Sequence, residues 1–282
     1  MVQEKLIAGL GIALGLSACN GSGDGPNTVF TYQPIDSTVS GDSTVRAVGV
    51  AQKADDSIAL KNMQGTLTRE NQALEIAGLI VDTDGSSRGV WSDGTTTVAA
   101  SGAPAFSGVY DYVLPVEVTS GGLTNTYLIG VATRHQDLPS SGSATFTGQS
   151  IVNGILTGGG TGSSSFEASG DLRLTADFAA GVVDVVMENL AGTGAPIDEI
   201  AIGGLSIVNG GGDAIFAADS QSTIQFESDG TVVTPIGDPT SFDATGAFFG
   251  GDGSGPLEAG GAFQVDGTGG GIFGIFVADD RK

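Results

Sequence analysis

The chain has 282 residues, of which 48 are glycine, and 32 acidic side chains outnumber 10 basic ones, which gives a formal charge of −22. This charge excludes a protein that follows nucleic-acid phosphates, because no basic patch can form. One histidine and one cysteine exclude metal clusters of imidazole and thiolate, disulfide scaffolds and most catalytic triads. We therefore expect a folded, non-catalytic protein without a cofactor.

The N-terminus has the features of a bacterial targeting signal. Lys5 precedes an apolar run from Leu6 to Leu16, which is too short to span a bilayer, where ~20 residues are needed, but suits a signal peptide. Residues 16–19 read Leu-Ser-Ala-Cys and resemble the lipobox of bacterial lipoproteins. That resemblance implies a signal peptide over residues 1–18 and lipidation of Cys19. The alternative is an ordinary secretory leader with an incidental thiol.

Residues 19–27 are rich in Gly, Ser and Asn and predict a flexible tether. Asn20 after the cysteine resembles the pattern that sorts lipoproteins to the outer membrane. We expect the acyl chains on Cys19 to anchor the protein there, with the chain displayed at the cell surface, since two or more acyl chains anchor stably.

Residues 28–140 predict a smaller, β-rich, handle-like domain. One short helix is expected within Asp55–Ile80, where apolar residues recur at irregular helical spacing. The other segments are predicted strands between polar turns: Val29–Tyr32, Tyr110–Val118 and Thr126–Thr133.

A linker over residues 137–142 precedes a more regular series of strands, which predicts a second domain over residues 141–282. Short antiparallel strands at this spacing favour a sandwich or a closed barrel, and we expect an eight-stranded antiparallel β-barrel. The predicted strands are 143–149, 150–156, 165–178, 182–189, 201–208, 215–226, 242–249, 259–265 and 271–277.

Alternation within these strands predicts which side chains fill the barrel. Leu172, Leu174, Ala176 and Phe178 share one face. A group of phenylalanines near the C-terminus is also expected in the barrel core: Phe242, Phe248, Phe249, Phe263, Phe273 and Phe276.

Three short motifs match catalytic or metal-binding patterns only by spacing. Ser87 lies in a Gly-x-Ser-x-Gly run that no helix is expected to follow, although a nucleophile elbow needs one. Residues 269–274 match a dinucleotide fingerprint but end too near the C-terminus for the required helix and strand. Asp82, Asp84 and Asp93 resemble a calcium loop without its glycine. We predict no catalytic or metal role for them.

The C-terminal strands contain the pattern Gly-x-Phe-x-Gly, then Glu-x-Gly-Gly-x-Phe, then Phe-Gly. This pattern resembles the end of the β-barrels in transferrin-binding protein B-like surface lipoproteins. The resemblance implies a structural role for nine residues: Gly246, Phe248, Gly250, Glu258, Gly260, Gly261, Phe263, Phe273 and Gly274. Upstream, residues 170–183 resemble a strand-turn-strand of the same family.

The resemblance implies a lipoprotein that binds an extracellular macromolecule or solute, an iron source for example, through its barrel loops. The loops expected to bind, chosen for length and polarity, are 157–165, 190–200 and 229–241. One alternative is a structural or assembly lipoprotein facing the periplasm. Another is a carrier that holds haem or lipid inside the barrel, with His135 as a conceivable haem ligand.

Overall fold

A computed structural model describes residues 30–35, 41–52, 57–68, 73–76, 79–81, 90–92, 96–100, 106, 110–157 and 163–280. Residues 31–282 form one compact unit. Cys19, Ser87 and the calcium-loop-like residues Asp82, Asp84 and Asp93 lie outside the described residues. No helix within these ranges is long and apolar enough to cross a membrane.

The first sheet contains eight antiparallel strands in the order β4-β3-β2-β1-β8-β7-β6-β5. The strands are β1 Asp42–Gln52, β2 Ile58–Thr68, β3 Ala73–Ile76, β4 Leu79–Val81, β5 Val90–Ser92, β6 Thr96–Ala100, β7 Val113–Ser120 and β8 Leu123–Val131. The helix expected within residues 55–80 is wrong, because β2, β3 and β4 occupy this segment. Strand β2 pairs with β1 along its whole length, with Gly65 opposite Val45, so cross-strand pairing overrides the weak helical spacing.

The second sheet closes into a barrel. Its strands are β9 Ser143–Thr157, β10 Ser163–Asp177, β11 Val182–Ala191, β12 Glu199–Gly210, β13 Asp213–Ala217, β14 Thr223–Ser228, β15 Thr231–Val233, β16 Pro239–Phe249, β17 Glu258–Gly267 and β18 Gly270–Asp279. The order β11-β10-β9-β18-β17-β16-β13-β12 is closed by pairing of β11 with β12, and the β14–β15 hairpin extends from β12. The structure confirms an all-β fold with an eight-stranded antiparallel barrel.

The strand predicted at Val29–Tyr32 is wrong, because residues 30–32 lie outside any strand and the first described strand begins at Asp42. Two of the predicted barrel segments are also divided differently in the structure. The segments predicted at 143–149 and 150–156 form the single strand β9, which pairs continuously with β10. The segment predicted at 215–226 divides into β13 and β14. Strand β12 pairs with β13 along its second half and with β14 along its first half, so the division leaves the barrel at eight strands.

Phenylalanine rings fill the barrel interior. Phe248 lies 5.3 Å from Phe216 and 6.1 Å from Phe146 between ring centroids, and all three are fully buried. The face predicted from Leu172 to Phe178 points into this core. These rings occupy the volume that a haem or lipid inside the barrel would need.

The first sheet packs against the outer wall of β16, β17 and β18. Strand β1 has seven consecutive buried residues, because its odd-numbered residues face the sheet's own core and its even-numbered residues face the barrel. Val48 and Val50 meet Ala262 and Val277 in this interface.

Two of the phenylalanines expected in the barrel core lie in that interface instead. Phe249 is buried and Phe273 half-buried on the outside of the barrel, against the first sheet. Adjacent residues of a strand face opposite sides, so Phe249 must point outward when Phe248 points inward.

The predicted division between residues 140 and 141 stays a prediction. Strand β8 ends at Val131 and β9 begins at Ser143, and both sheets belong to the same compact unit.

Candidate functional site at one end of the barrel

The three connections chosen from the sequence lie at one end of the barrel. Strands β9 and β11 end there, and β10 and β12 begin there. The chain that follows the β14–β15 hairpin also enters β16 at this end. We call this the loop end, defined by residues 157–165, 190–200 and 229–241; residues 158–162 of the first connection lie outside the described residues.

Backbone hydrogen bonds join the connection before β16 to the neighbouring turn between β17 and β18. Gly269 donates its N–H to the carbonyl of Ile236 at 2.7 Å, and Thr157 donates to the carbonyl of Gly269 at 2.8 Å. The side chain of Ile236 is fully buried in the barrel core. These contacts hold the described part of this connection against the barrel.

The connection between β11 and β12 is joined to the β14–β15 hairpin in the same way. Asp198 donates its backbone N–H to the carbonyl of Glu227 at 3.0 Å, and its carboxylate accepts the N–H of Asp229 at 2.8 Å. Ile197 is 2% exposed. The described part of the loop end is therefore a hydrogen-bonded surface on a packed barrel.

The barrel has a strongly negative charge. Residues 143–280 contain 18 acidic residues and one basic residue, Arg173, and Arg173 pairs with Glu188 at 3.1 Å. Burial, and then the neighbouring charges of Glu227, Glu188 and Asp198, raise the pKa of Glu199. Such a field attracts cationic partners and repels anionic ones.

Acidic side chains do not form a metal site within the described residues, where no group of three or more His, Cys, Asp or Glu is arranged to hold an ion. Asp213, the first residue of β13, instead has its carboxylate paired with Arg46.

The segment from the first sheet enters at the opposite end of the barrel. Gly250 donates its N–H to the carbonyl of Val131 at 2.8 Å, Thr133 donates to Phe248 at 2.9 Å, and Ala214 donates to Thr133 at 2.7 Å. Backbone hydrogen bonds thus continue from the end of β8 into β13 and β16.

A second contact at this end involves Tyr32, near the beginning of the compact unit. Its hydroxyl donates to Asp137 at 2.5 Å and accepts the N–H of Arg134 at 2.9 Å. Burial, followed by the hydrogen bond to Asp137, raises the pKa of Tyr32 to about 12. Although burial disfavours its charge, hydrogen bonds from Arg134 and Tyr32 lower the pKa of the Asp137 carboxyl.

Glu258 joins the barrel to the first sheet. Its side chain is 1% exposed, and its two carboxylate oxygens accept the backbone N–H groups of Asp111 at 2.6 Å and of Tyr112 and Val113 at 2.9 Å. These donors precede or begin β7, so the Glu258 carboxylate satisfies the backbone at the start of that strand.

The motif glycines leave room for aromatic rings. A Cβ atom at Gly246 would lie 2.1 Å from the ring of Phe216, and one at Gly274 would lie 2.5 Å from the ring of Phe263. A Cβ atom at Gly261 would lie 2.6 Å from the ring of Phe276. Each glycine allows a ring to fill the barrel against the backbone of a neighbouring strand.

Two motif glycines serve the contact with the first sheet. Gly260 faces outward, where a Cβ atom would lie 2.5 Å from a methyl group of Leu128. Gly250 has a φ of +65° and lies against the ring of Tyr112. A side chain at either position would push the first sheet away from the barrel.

Sequence reasoning missed the buried ion pair between the sheets. Arg46 Nη2 lies 2.9 Å from Asp213 Oδ2, with 5% and 3% of their side chains exposed. Arg46 also donates to Asn62 at 2.7 Å and to the carbonyl of Gly210, and burial raises the pKa of Asp213 although Arg46 opposes that shift. An arginine within the apolar run of β1 was the available signal.

The remaining candidates have structural positions. His135 begins the 3-10 turn His135–Asp137 and donates its N–H to Gly212 at 2.8 Å. The glycine run at 269–274 forms the turn before β18 and the beginning of that strand, so the helix needed by a dinucleotide site does not follow it.

Comparisons with known proteins find similarity only among solved structures; no family model and no curated protein matches. Transferrin-binding protein B from serogroup B Neisseria meningitidis has 16% sequence identity and a TM-score of 0.48, over 85% of this chain and 44% of that one. A mutant of the same protein from Haemophilus parasuis Hp5 has 15% identity and a TM-score of 0.49, over 85% and 45%. A structure described as a surface lipoprotein has 12% identity and a TM-score of 0.36, over 84% and 98%.

The chain spans less than half of the length of the two transferrin-binding structures.

Proposed function

We propose that this chain is a non-catalytic lipoprotein, anchored to the outer membrane by acyl chains on Cys19, that binds an extracellular protein or solute through the loop end. The observation that carries this proposal is the placement of the three connections. They lie together at one end of the barrel, whereas Tyr32 and the segment from the first sheet lie at the other. A tether that leads to Tyr32 would leave the loop end directed away from the anchor.

The charge of the barrel defines the preferred partner. Since residues 143–280 contain one basic residue, Arg173, against 18 acidic ones, the barrel favours a partner that offers a cationic surface, and this attraction weakens as salt increases. An iron-carrying protein such as transferrin is a suitable first probe because the motif around Phe248 resembles that family.

The test begins with protease treatment of intact cells that express the acylated protein or its Cys19→Ala variant. We expect the acylated protein to be cleaved at the surface and to capture an extracellular protein from medium that contains transferrin. A protein that resists cleavage on intact cells and recovers only envelope proteins would overturn the proposal in favour of a periplasmic scaffold.

Matched charge reversals then locate the binding surface. Asp229→Lys changes an exposed residue of the loop end, and Asp252→Lys changes an exposed residue between β16 and β17, at the opposite end. We expect the first variant to weaken capture at least tenfold and the second to leave it unchanged. Equal effects would place the binding surface elsewhere.

A further inference from the structure

A cleft of about 460 Å³ lies between the first sheet and the outer wall of the barrel. It is lined on one side by β1, β2 and β8 and on the other by β9 and β18. The interface closes the inner part of the cleft, where Val50 is 6% and Ile275 5% exposed, and the cleft opens toward Ile155, which is 51% exposed. Its volume is in the range of small-molecule sites.

Both walls of the cleft are mainly apolar. The aliphatic and aromatic side chains that line it are Val50, Ile58, Ile151, Ile155, Phe273 and Ile275. All of the described lining residues are uncharged, although the chain carries a formal charge of −22. An ionised ligand would lose its hydration between these walls without gaining an opposite charge from the described lining residues, so the walls favour an uncharged ligand.

Polar groups face the cleft from both walls. The half-buried side chains of Thr126 on β8 and Asn153 on β9 make no hydrogen bond to other described residues. Asn153 lies between Ile151 and Ile155 on the outer face of its strand. A few polar groups among apolar walls fix the orientation of a ligand in small-molecule sites.

We infer that this cleft binds an uncharged small molecule with an apolar body and a hydrogen-bonding group that meets Asn153 and Thr126. The site is separate from the loop end, so it does not depend on the function proposed above. It would give the protein a small-molecule ligand held between the two sheets.

The probe for this inference is 6-propionyl-2-(dimethylamino)naphthalene, an uncharged fluorophore with an apolar body and a ketone that accepts hydrogen bonds. The full chain with Cys19→Ala is titrated with the probe, because acyl chains and detergent would otherwise bind it. We expect saturable binding at one site with a blue shift of the emission. Emission that does not saturate would overturn the inference.

Two lysine substitutions at exposed apolar positions test the location. Ile155→Lys places a charge at the mouth of the cleft, whereas Val232→Lys makes the same kind of change on β15, where the side chain is 61% exposed. We expect the first to weaken probe binding at least tenfold and the second to leave it unchanged, with equal circular dichroism spectra. Equal binding by both variants would overturn the location.

The chemical class is tested separately. Asn153→Leu keeps the walls apolar and removes the amide, and we expect it to weaken binding of the ketone several-fold. Decanol should displace the probe at least tenfold better than decanoate at high salt, above the pKa of the carboxyl group. Equal displacement, or an unchanged Asn153→Leu variant, would contradict an uncharged, hydrogen-bonding ligand.

Sedimentation of the same samples tests whether a second copy of the chain covers the cleft instead of a small molecule. If the parent chain is a dimer and Ile155→Lys converts it into a monomer, the cleft is covered by a second copy of the chain and the inference is overturned. We expect the sedimentation coefficient to be the same for both proteins.

Discussion

Single polar side chains make defined contacts near the junction of the first sheet and the barrel. Glu258 receives three backbone N–H groups, and Tyr32 bridges Asp137 and Arg134. Each of these groups is removed from water and depends on its protein partners, so a change of one atom at these positions has a measurable effect.

Tyr32 makes stability depend on alkaline pH. In the unfolded chain a tyrosine ionises near pH ~10, whereas burial and the hydrogen bond to Asp137 raise the pKa of Tyr32 to about 12. Its contribution to stability is therefore complete below the unfolded pKa and is lost as the pH rises through the folded pKa. We expect Tyr32→Phe to flatten the decrease in unfolding free energy over this window, measured by urea denaturation.

Tyr127→Phe is the control, because burial raises the pKa of Tyr127 but no hydrogen bond to Asp137 is involved. The Tyr127→Phe variant should keep the decrease in unfolding free energy that ionisation of Tyr32 causes at alkaline pH. A Tyr32→Phe chain that loses stability as steeply as the parent would contradict the prediction.

Glu258→Gln replaces an acceptor oxygen by an NH₂ donor that faces backbone N–H groups. We expect a loss of ~1.5–3 kcal/mol of unfolding free energy and faster hydrogen exchange at the amides of Asp111, Tyr112 and Val113. Glu227→Gln, on β14 at the outside of the barrel, should change stability by less than ~0.5 kcal/mol. Unchanged exchange at those three amides would refute the assigned role.

At the scale of the strand, glycine and phenylalanine act as pairs across neighbouring strands. A ring can lie flat against β16 or β18 only where the strand has no Cβ atom. Gly246 and Phe216 are such a pair between β16 and β13, whose residues are directly opposite in register. The barrel is therefore solid because its glycines are placed opposite its rings.

Gly246→Ala tests this pairing. The added Cβ atom would lie 2.1 Å from the Phe216 ring and 2.6 Å from the carbonyl oxygen of Gly260, so we expect a loss of ~1–3 kcal/mol from overpacking. At Gly203 the nearest atom is 3.2 Å away, on the side chain of Thr223. Gly203→Ala should cost less, and equal losses in urea unfolding would argue against the steric explanation.

At the scale of the whole molecule, the buried ion pair between Arg46 and Asp213 orients one sheet on the other. Arg46→Met leaves the carboxylate of Asp213 buried without its cation, and breaking such a pair costs ~3–5 kcal/mol. Arg173→Met breaks an ion pair whose side chains are 51% and 40% exposed, which should cost less than ~1 kcal/mol. Urea unfolding of both variants measures the difference.

A loss from Arg46→Met no larger than that from Arg173→Met would show that the interface depends on its apolar contacts alone. Those contacts are extensive, since Val48, Leu128 and Ala262 are fully buried between the sheets.

The sequence predicted the barrel better than the first sheet, and the reason lies in the patterns. In β10 and β11 one face is buried and the other exposed, so apolar and polar residues alternate and the strand is recognisable. In β1 both faces are covered and the residues form one apolar run, which leaves no alternation to read. The spacing of Leu60, Met63 and Leu67 in β2 then resembled a helix.

The sequence by itself determined the local and compositional properties of this protein: its acidic charge, the alternation of the barrel strands and the glycine-rich motif of β16–β18. Tertiary structure alone decided which distant residues meet. Closure of β11 on β12, the pairing of Arg46 with Asp213 and the outward packing of Phe249 all depend on contacts between separate elements. Local patterns encode periodicity and turns, but partners far apart in the chain are chosen by the packing of complete sheets.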